Sequence, residues 1–159
     1  MKNIATFFLL FLGVCSVRGE QSENWYIGPR VGIISPFTGI IGIEAQWRHF
    51  AVGAGMPGTY GAKYYFRFPK HSWYLGAYMV KYNYKLESVE YEQGQPYDKD
   101  KIRRKGVGGG FRWRWKNGWD LDLSLGLGVV KDVSEYRGQD VIYWEGTDIR
   151  GGPTFGYSF

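Results

Sequence analysis

The chain has 159 residues, enough for one domain at most, and its 24 glycines and 19% aromatic content accompany a negative mean hydropathy. That combination excludes an ordinary soluble helical domain, and after the first residues no apolar run reaches the ~18 residues a membrane helix needs. A formal charge of +5 with no nucleic-acid motif excludes nucleic acid as the partner.

The first element is a leader. A short positive segment, Met1-Lys2-Asn3, precedes an apolar run from Ile4 to Val14 that is too short to span a bilayer. Small residues follow, and Val17-Arg18-Gly19 or Val14-Cys15-Ser16 offers a cleavage site. The pattern reads as a secretory signal peptide over residues 1–19, leaving a domain over 20–159. Cys15, the only cysteine, lies in the leader, and Val14 before it is not what a lipoprotein signal prefers. The domain is thus expected to have neither disulfide nor thiolate chemistry. Its charge falls to +3 with the loss of Lys2 and Arg18.

From residue 25 onward the apolar period is 2, and eight strands follow in order: Trp25–Ser35, Gly39–Arg48, Phe50–Met56, Thr59–Phe68, Trp73–Glu87, Ile102–Trp115, Trp119–Asp132 and Ile149–Phe159. Most approach the ~9–11 residues of a tilted membrane-spanning strand. The second strand separates Ile41, Ile43, Ala45 and Trp47 from Gly42, Glu44, Gln46 and Arg48. The fourth separates Tyr60, Ala62, Tyr64, Phe66 and Phe68 from Lys63, Tyr65 and Arg67. The fifth is aromatic or apolar on both faces, and alternation does not orient it. The sixth sets Val107, Gly109, Phe111, Trp113 and Trp115 against Gly106, Gly108, Gly110, Arg112 and Arg114, and the seventh sets Trp119 and four leucines against Asp120, Asp122, Ser124, Gly126 and Gly128.

Connections alternate in length. Tight turns at 48–50, 69–72 and 116–118 share one end with both termini; the other end carries 36–38, 56–58 and two long polar segments, 88–101 and 133–148. Trp25, Trp47, Phe68, Trp73, Trp115, Trp119 and Phe159 all fall at strand ends on the tight-turn side. Aromatic rings with a polar edge favour a membrane–water boundary, and these residues read as an interface girdle. The expected fold is therefore all-β: an eight-stranded antiparallel up-and-down transmembrane β-barrel.

One hairpin fixes its own register. With Lys116-Asn117-Gly118 as a three-residue loop and Gly118 left-handed, Trp115 meets Trp119, Arg114 faces Asp120 and Arg112 faces Asp122. A two-residue Asn-Gly turn would put Trp115 opposite Asp120, across the two faces. The expected interior network is Arg30, Glu44, Gln46, Arg48, Lys63, Arg67, Arg112, Arg114, Asp120, Asp122 and Arg150. Eight strands leave room for side chains rather than an aqueous pore, so these charges are read as a paired polar plug. The competing use is a gated or proton-conducting path, and packing favours the plug.

The last strand, Arg150-Gly151-Gly152-Pro153-Thr154-Phe155-Gly156-Tyr157, places spaced aromatics before the terminal Phe159. With the leader and the eight alternating strands, this resembles the small outer-membrane barrels of Gram-negative bacteria, the OmpA-barrel and OmpX-like group. The resemblance implies an outer-membrane location and recognition of the last strand by the barrel assembly machinery. It says little about activity, because the group includes anchors, adhesins and lipid A-modifying enzymes. Histidines serve catalysis in those enzymes, but here His49 and His71 both fall in tight turns at the inner end. Neither a metal cluster nor a phosphate loop is visible, and no cofactor is expected.

A structural, membrane-integrity or surface-interaction role is the expectation. The alternatives are a lipid A acyltransferase or deacylase admitting lipid beside Pro29 and Pro153, whose missing N–H groups weaken the closing seam, and a small pore. The segments 88–101 and 133–148 are read as contact sites for an extracellular protein, either as projecting strands or as solvated loops. Lys81, Lys85, Lys101, Arg103, Arg104, Lys105, Lys131 and Arg137 gather at the same rim, where they are candidates to contact lipopolysaccharide. A soluble lipocalin-like barrel would reverse the faces, and the single-rim aromatic belt argues against it.

Overall fold

The computed structural model describes residues 24–68, 70–84, 99–136 and 139–158. Eight antiparallel strands close into one barrel in sequence order: β1 Trp25–Ser35, β2 Gly39–Trp47, β3 Phe50–Met56, β4 Thr59–Tyr65, β5 Ser72–Tyr84, β6 Lys99–Arg114, β7 Trp119–Tyr136 and β8 Gln139–Tyr157. Residues 1–23 with Cys15, together with Lys85, Arg137 and Phe159, lie outside the described residues, as does most of the segment 88–101.

The alternation sorts the side chains as period 2 demands. Ile27, Val31 and Ile33 of β1, Ile41 and Ile43 of β2, Val52 of β3, Tyr60 and Tyr64 of β4, and Leu123, Leu125 and Leu127 of β7 all face outward and are exposed. Arg30, Glu44, Gln46, Lys63, Arg112, Asp120 and Asp122 are buried inside. The fifth strand is oriented too: Trp73, Leu75 and Met79 lie outside, and Tyr74, Tyr78 and Val80 inside.

The wall is uneven. Strands β2 to β4 are short, whereas β6, β7 and β8 have 16, 18 and 19 residues and extend further at the end away from the tight turns. The segment 133–148, expected to lie outside the strands of the span, is almost wholly strand: β7 and β8 stay paired from Trp119↔Tyr157 out to Tyr136↔Gln139. Its own alternation, continued past the apolar belt, keeps the ladder going. A register shift at Asp132/Val133 leaves Tyr143 as the extra residue on β8.

The β6–β7 hairpin has the expected turn. Arg114↔Asp120 and Arg112↔Asp122 are in register, and the Trp115 N–H donates to the Trp119 carbonyl at 2.9 Å. Gly118 has φ +89°, where a side chain would be strained.

At the other end the β1–β2 connection departs from the expectation of a plain turn. Ile34 adopts φ +50°, the β1–β2 register shifts between Val31 and Ser35, and Pro36, Phe37 and Thr38 fold into the barrel and are buried. The closing seam is short. Among the described residues, β1 and β8 pair only at Arg30↔Gly156, Val31↔Phe155 and Gly32↔Thr154. Pro29 stands just before that run on β1, and Pro153 just before it on β8. A residue without an N–H cannot donate to a ladder, and at this seam the pairing stops at both prolines.

Candidate functional site

The lumen is built in layers from the inward positions of all eight strands. Nearest the tight turns, the Arg114 guanidinium lies over the Tyr26 ring, 4.3 Å from its centroid, and donates to Gln46 Oε1 at 2.7 Å. Gln46 in turn donates to the Arg48 carbonyl at 2.7 Å. The Phe68 ring closes this end against Tyr26 and His49, with centroids 5.4 and 6.3 Å apart.

The central layer is ionic. Glu44 on β2 accepts from Arg112 Nη1 at 2.6 Å, from Arg112 Nη2 at 3.0 Å and from Lys63 Nζ at 2.8 Å. Asp122 on β7 accepts from Lys63 at 3.0 Å, from Arg112 Nη2 at 2.8 Å and from the Tyr74 hydroxyl. Asp120 pairs with Arg30 and accepts from the Ser158 hydroxyl at 3.2 Å. Three cations (Arg30, Lys63 and Arg112) meet three carboxylates, all six side chains are buried, and each ion has more than one partner. Charges removed from water persist only under such pairing. Arg112 also lies over the Tyr65 ring at 4.8 Å, and Lys63 over Phe37 and Tyr74 at 5.0 and 4.8 Å.

Above the ions sits the infolded turn. Phe37 is 0% exposed and packs edge-on against Tyr74 and Tyr78, with centroids 5.5 and 6.1 Å away. Its seat is made by inward glycines. A Cβ on Gly61 would meet Phe37 Cα and O at 2.8 Å, one on Gly76 the Phe37 ring at 2.6 Å, and one on Gly53 the Thr38 methyl at 2.8 Å. These glycines are needed because the turn occupies the space where side chains would stand.

Several expected site residues are elsewhere. Arg48 and Arg67 are exposed at the tight-turn rim, because β2 and β4 end at Trp47 and Tyr65, before alternation could carry them inside. Arg48 instead takes φ +49° and donates to Asn24 Oδ1 at 3.1 Å. Arg114 and Asp120 face each other in register, yet Asp120 is claimed by Arg30 and Ser158 while Arg114 turns to Gln46 and Tyr26. Arg150 lies inside but further out, against Asp148 at 3.0 Å.

Of the girdle, Trp25, Trp47, Trp73, Trp115 and Trp119 form an exposed belt, extended by Phe111, Trp113 and Tyr157 in ring contacts. Phe68 leaves that belt for the lumen mouth, since its strand has already ended. Of the basic rim, Lys81, Arg103 and Lys131 are outward register neighbours on β5, β6 and β7, with Lys105 one outward position below Arg103. Lys101 has the same parity, and Lys131 pairs with Glu145 at 3.0 Å. Arg104 turns inside to Asp148 at 3.5 Å.

Both histidines serve turns. His49 Nδ1 lies 2.6 Å from the Tyr65 carbonyl, and His71 Nδ1 accepts from the Arg114 N–H at 2.9 Å. The main feature that sequence reasoning missed is the infolded Phe37 turn, an apolar plug beside the expected polar one. Its signal was an apolar Phe37 in a short connection, opposite strands whose inward positions carry repeated glycine.

Comparisons with protein-family models, curated proteins and solved structures gave no match.

Proposed function

We propose that this chain is a transmembrane barrel of a bacterial outer membrane that acts without catalysis, as a sealed membrane-integrity or surface-interaction protein. The observation that carries this reading is the inversion of its faces. The charges of the central layer lie inside and are neutralised, while outward rows of Leu, Ile, Val and aromatic side chains are left exposed. In water so continuous an apolar surface would drive aggregation, whereas in hydrocarbon it is the stable face. Positions 119–129 of β7 match the ~9–11 residues of a tilted span, with Trp119 at one boundary and Lys131 just past the other.

At that boundary the outward cations Lys81, Arg103 and Lys131, with Lys105 one row inside it, meet the phosphates of lipopolysaccharide, the chemistry a basic rim recognises. The extended β6–β8 wall is the surface offered to an extracellular protein, and Phe155 and Tyr157 belong to the segment read by the assembly machinery. The test is refolding with and without detergent or phospholipid vesicles. Insertion appears as protection of the β7 span from protease. A folded, monomeric protein in detergent-free buffer overturns the reading, and steady single-channel conductance in a planar bilayer overturns the sealed lumen.

The short β1–β8 seam favours a second reading, lateral admission of an acyl chain for lipid A modification. Mass spectrometry of lipid A after incubation with the refolded protein decides it. Gain or loss of an acyl chain replaces the non-catalytic reading.

A further inference from the structure

Outward of the Phe37 plug, the inner faces of β6 and β7 carry Gly106, Gly126 and Gly128, which form a floor without side chains. Gly106 and Gly128 are cross-strand partners, and on β8 Arg150 and Asp148 stand opposite Gly126 and Gly128. Tyr78 reaches over this floor from β5. A Cβ on Gly106 would meet Tyr78 Cζ at 2.7 Å, one on Gly126 its Cε1 at 2.7 Å, and one on Gly128 its hydroxyl at 2.8 Å. The Tyr78 side chain is buried, yet its hydroxyl makes no hydrogen bond.

Among the described residues, the charges around this floor do not balance. Arg104 Nη1 lies 3.5 Å from Asp148 Oδ1, and Arg150 Nε lies 3.0 Å from Asp148 Oδ2, an ion contact without hydrogen-bond alignment. Arg104 Nε is also buried without a hydrogen-bond partner. Two guanidinium groups, each with five N–H donors, thus share one carboxylate. The next inward acid on β7, Asp132, forms no ion pair with either arginine. The neighbouring inward side chains Val80 and Val130 are buried and apolar. The contrast with the ionic layer below is plain, since there every cation has multiple acceptors.

We propose that this shelf binds a small oxyanion, a phosphate or a single carboxylate group, held by Arg104, Arg150 and the Tyr78 hydroxyl. Planar guanidinium forks and a phenol donor match the oxygen geometry of such a group, and removing them from bulk water strengthens each bond. The glycine floor seats the Tyr78 ring and brings its hydroxyl to Gly128, the register partner of Asp148. The plug below, whose Pro36 also lies against the Gly126 floor position, blocks passage towards the paired ions, so the ligand arrives from the side of the extended strands. The site uses only the inner wall and does not depend on what surrounds the outer face.

Isothermal titration of the purified protein with inorganic phosphate, acetate and chloride at matched ionic strength tests the proposal. Saturable binding of phosphate or acetate, but not chloride, is expected. Arg104→Gln and Arg150→Gln each weaken it by about 10-fold or more, as loss of a charge-assisted hydrogen bond does. Tyr78→Phe keeps the ring and removes only the unpartnered hydroxyl, so it weakens binding several-fold in a protein that still folds. Lys116→Gln, an equal charge change in the exposed β6–β7 turn, leaves binding unchanged. No saturable heat in the wild type, an equal response to chloride, or the same loss in Lys116→Gln overturns the site and leaves the shelf to water.

Discussion

Arg112 reaches across the lumen to Glu44, joining β6 to β2, two strands that share no ladder, through contacts of 2.6 and 3.0 Å. The same guanidinium holds Asp122 at 2.8 Å, so one side chain ties three strands together. Replacing it with Met leaves Glu44 and Asp122 buried with Lys63 as their shared cation, together with a poorer neutralisation of Asp120. Arg112→Met is expected to destabilise the barrel by about 3–5 kcal/mol in urea unfolding. Glu44→Gln in the same background should cost less than it does alone, with a coupling of about 1–3 kcal/mol. Strict additivity of the two substitutions would show that the pair is not energetically joined.

The plug makes a sharper demand. All three of the nearest atoms to a Cβ at Gly61 belong to Phe37, at 2.8 to 3.0 Å, so Gly61→Ala acts on the infolded turn itself. Overpacking of this kind costs about 1–3 kcal/mol. Phe37→Ala removes the ring from its Tyr74–Tyr78 seat and costs about 3–5 kcal/mol by cavity formation. The atoms that a Cβ at Gly61 meets, Phe37 Cα, O and Cβ, all remain in Phe37→Ala, so Gly61→Ala should cost nearly as much in that background as it does alone, as read by equilibrium unfolding. A much smaller cost in the Phe37→Ala background would show that the ring alone holds the turn against Gly61 and that the turn withdraws without it.

Much of the barrel was legible in the sequence because period 2 is a strong signal wherever one face is charged and the other apolar. β1 and β3 have the expected bounds, and the Trp115–Trp119 hairpin was fixed by the requirement that Arg and Asp share a face. The failures have equally physical causes. Alternation carries no information about where a ladder ends, which put Arg48 and Arg67 inside. It cannot orient β5, where Tyr74 and Tyr78 are inward and Trp73 and Leu75 outward, since all four are large and apolar. Partner choice inside a lumen is set by three-dimensional reach, so Asp120 found Arg30 rather than Arg114. The infolded turn around Phe37 lies between two left-handed residues, Gly39, which a glycine marks in the sequence, and Ile34, which nothing in the local pattern marks.

Ile34 is itself a test. A β-branched residue at φ +50° carries about 1–2 kcal/mol of steric strain, and its side chain is half exposed, with little packing to offset that strain. Ile34→Gly is therefore expected to stabilise the fold by about 1 kcal/mol, with the plug retained. Thermal or urea unfolding measures it. Destabilisation would show that contacts of the Ile34 side chain outweigh its backbone strain.

The strongest discrimination between a membrane barrel and a soluble one comes from Leu125. It faces outward from the middle of the β7 apolar row and is 59% exposed, with Gly109 and Gly151 as its flanking register partners. If water surrounded it, Leu125→Arg would be a surface change worth no more than about 0.5 kcal/mol. In hydrocarbon an arginine near the midplane costs about 2–4 kcal/mol, declining to about 0–1 at the boundary. Leu125→Arg should therefore weaken folding into phospholipid vesicles by about 2–4 kcal/mol. Val129→Arg, one row below the Lys131 boundary, should cost about 1 kcal/mol or less. This gradient depends on depth along a single strand face and on nothing in the lumen. Equal small effects at Leu125 and Val129 would remove the membrane from the account while leaving the ionic core and its plug intact.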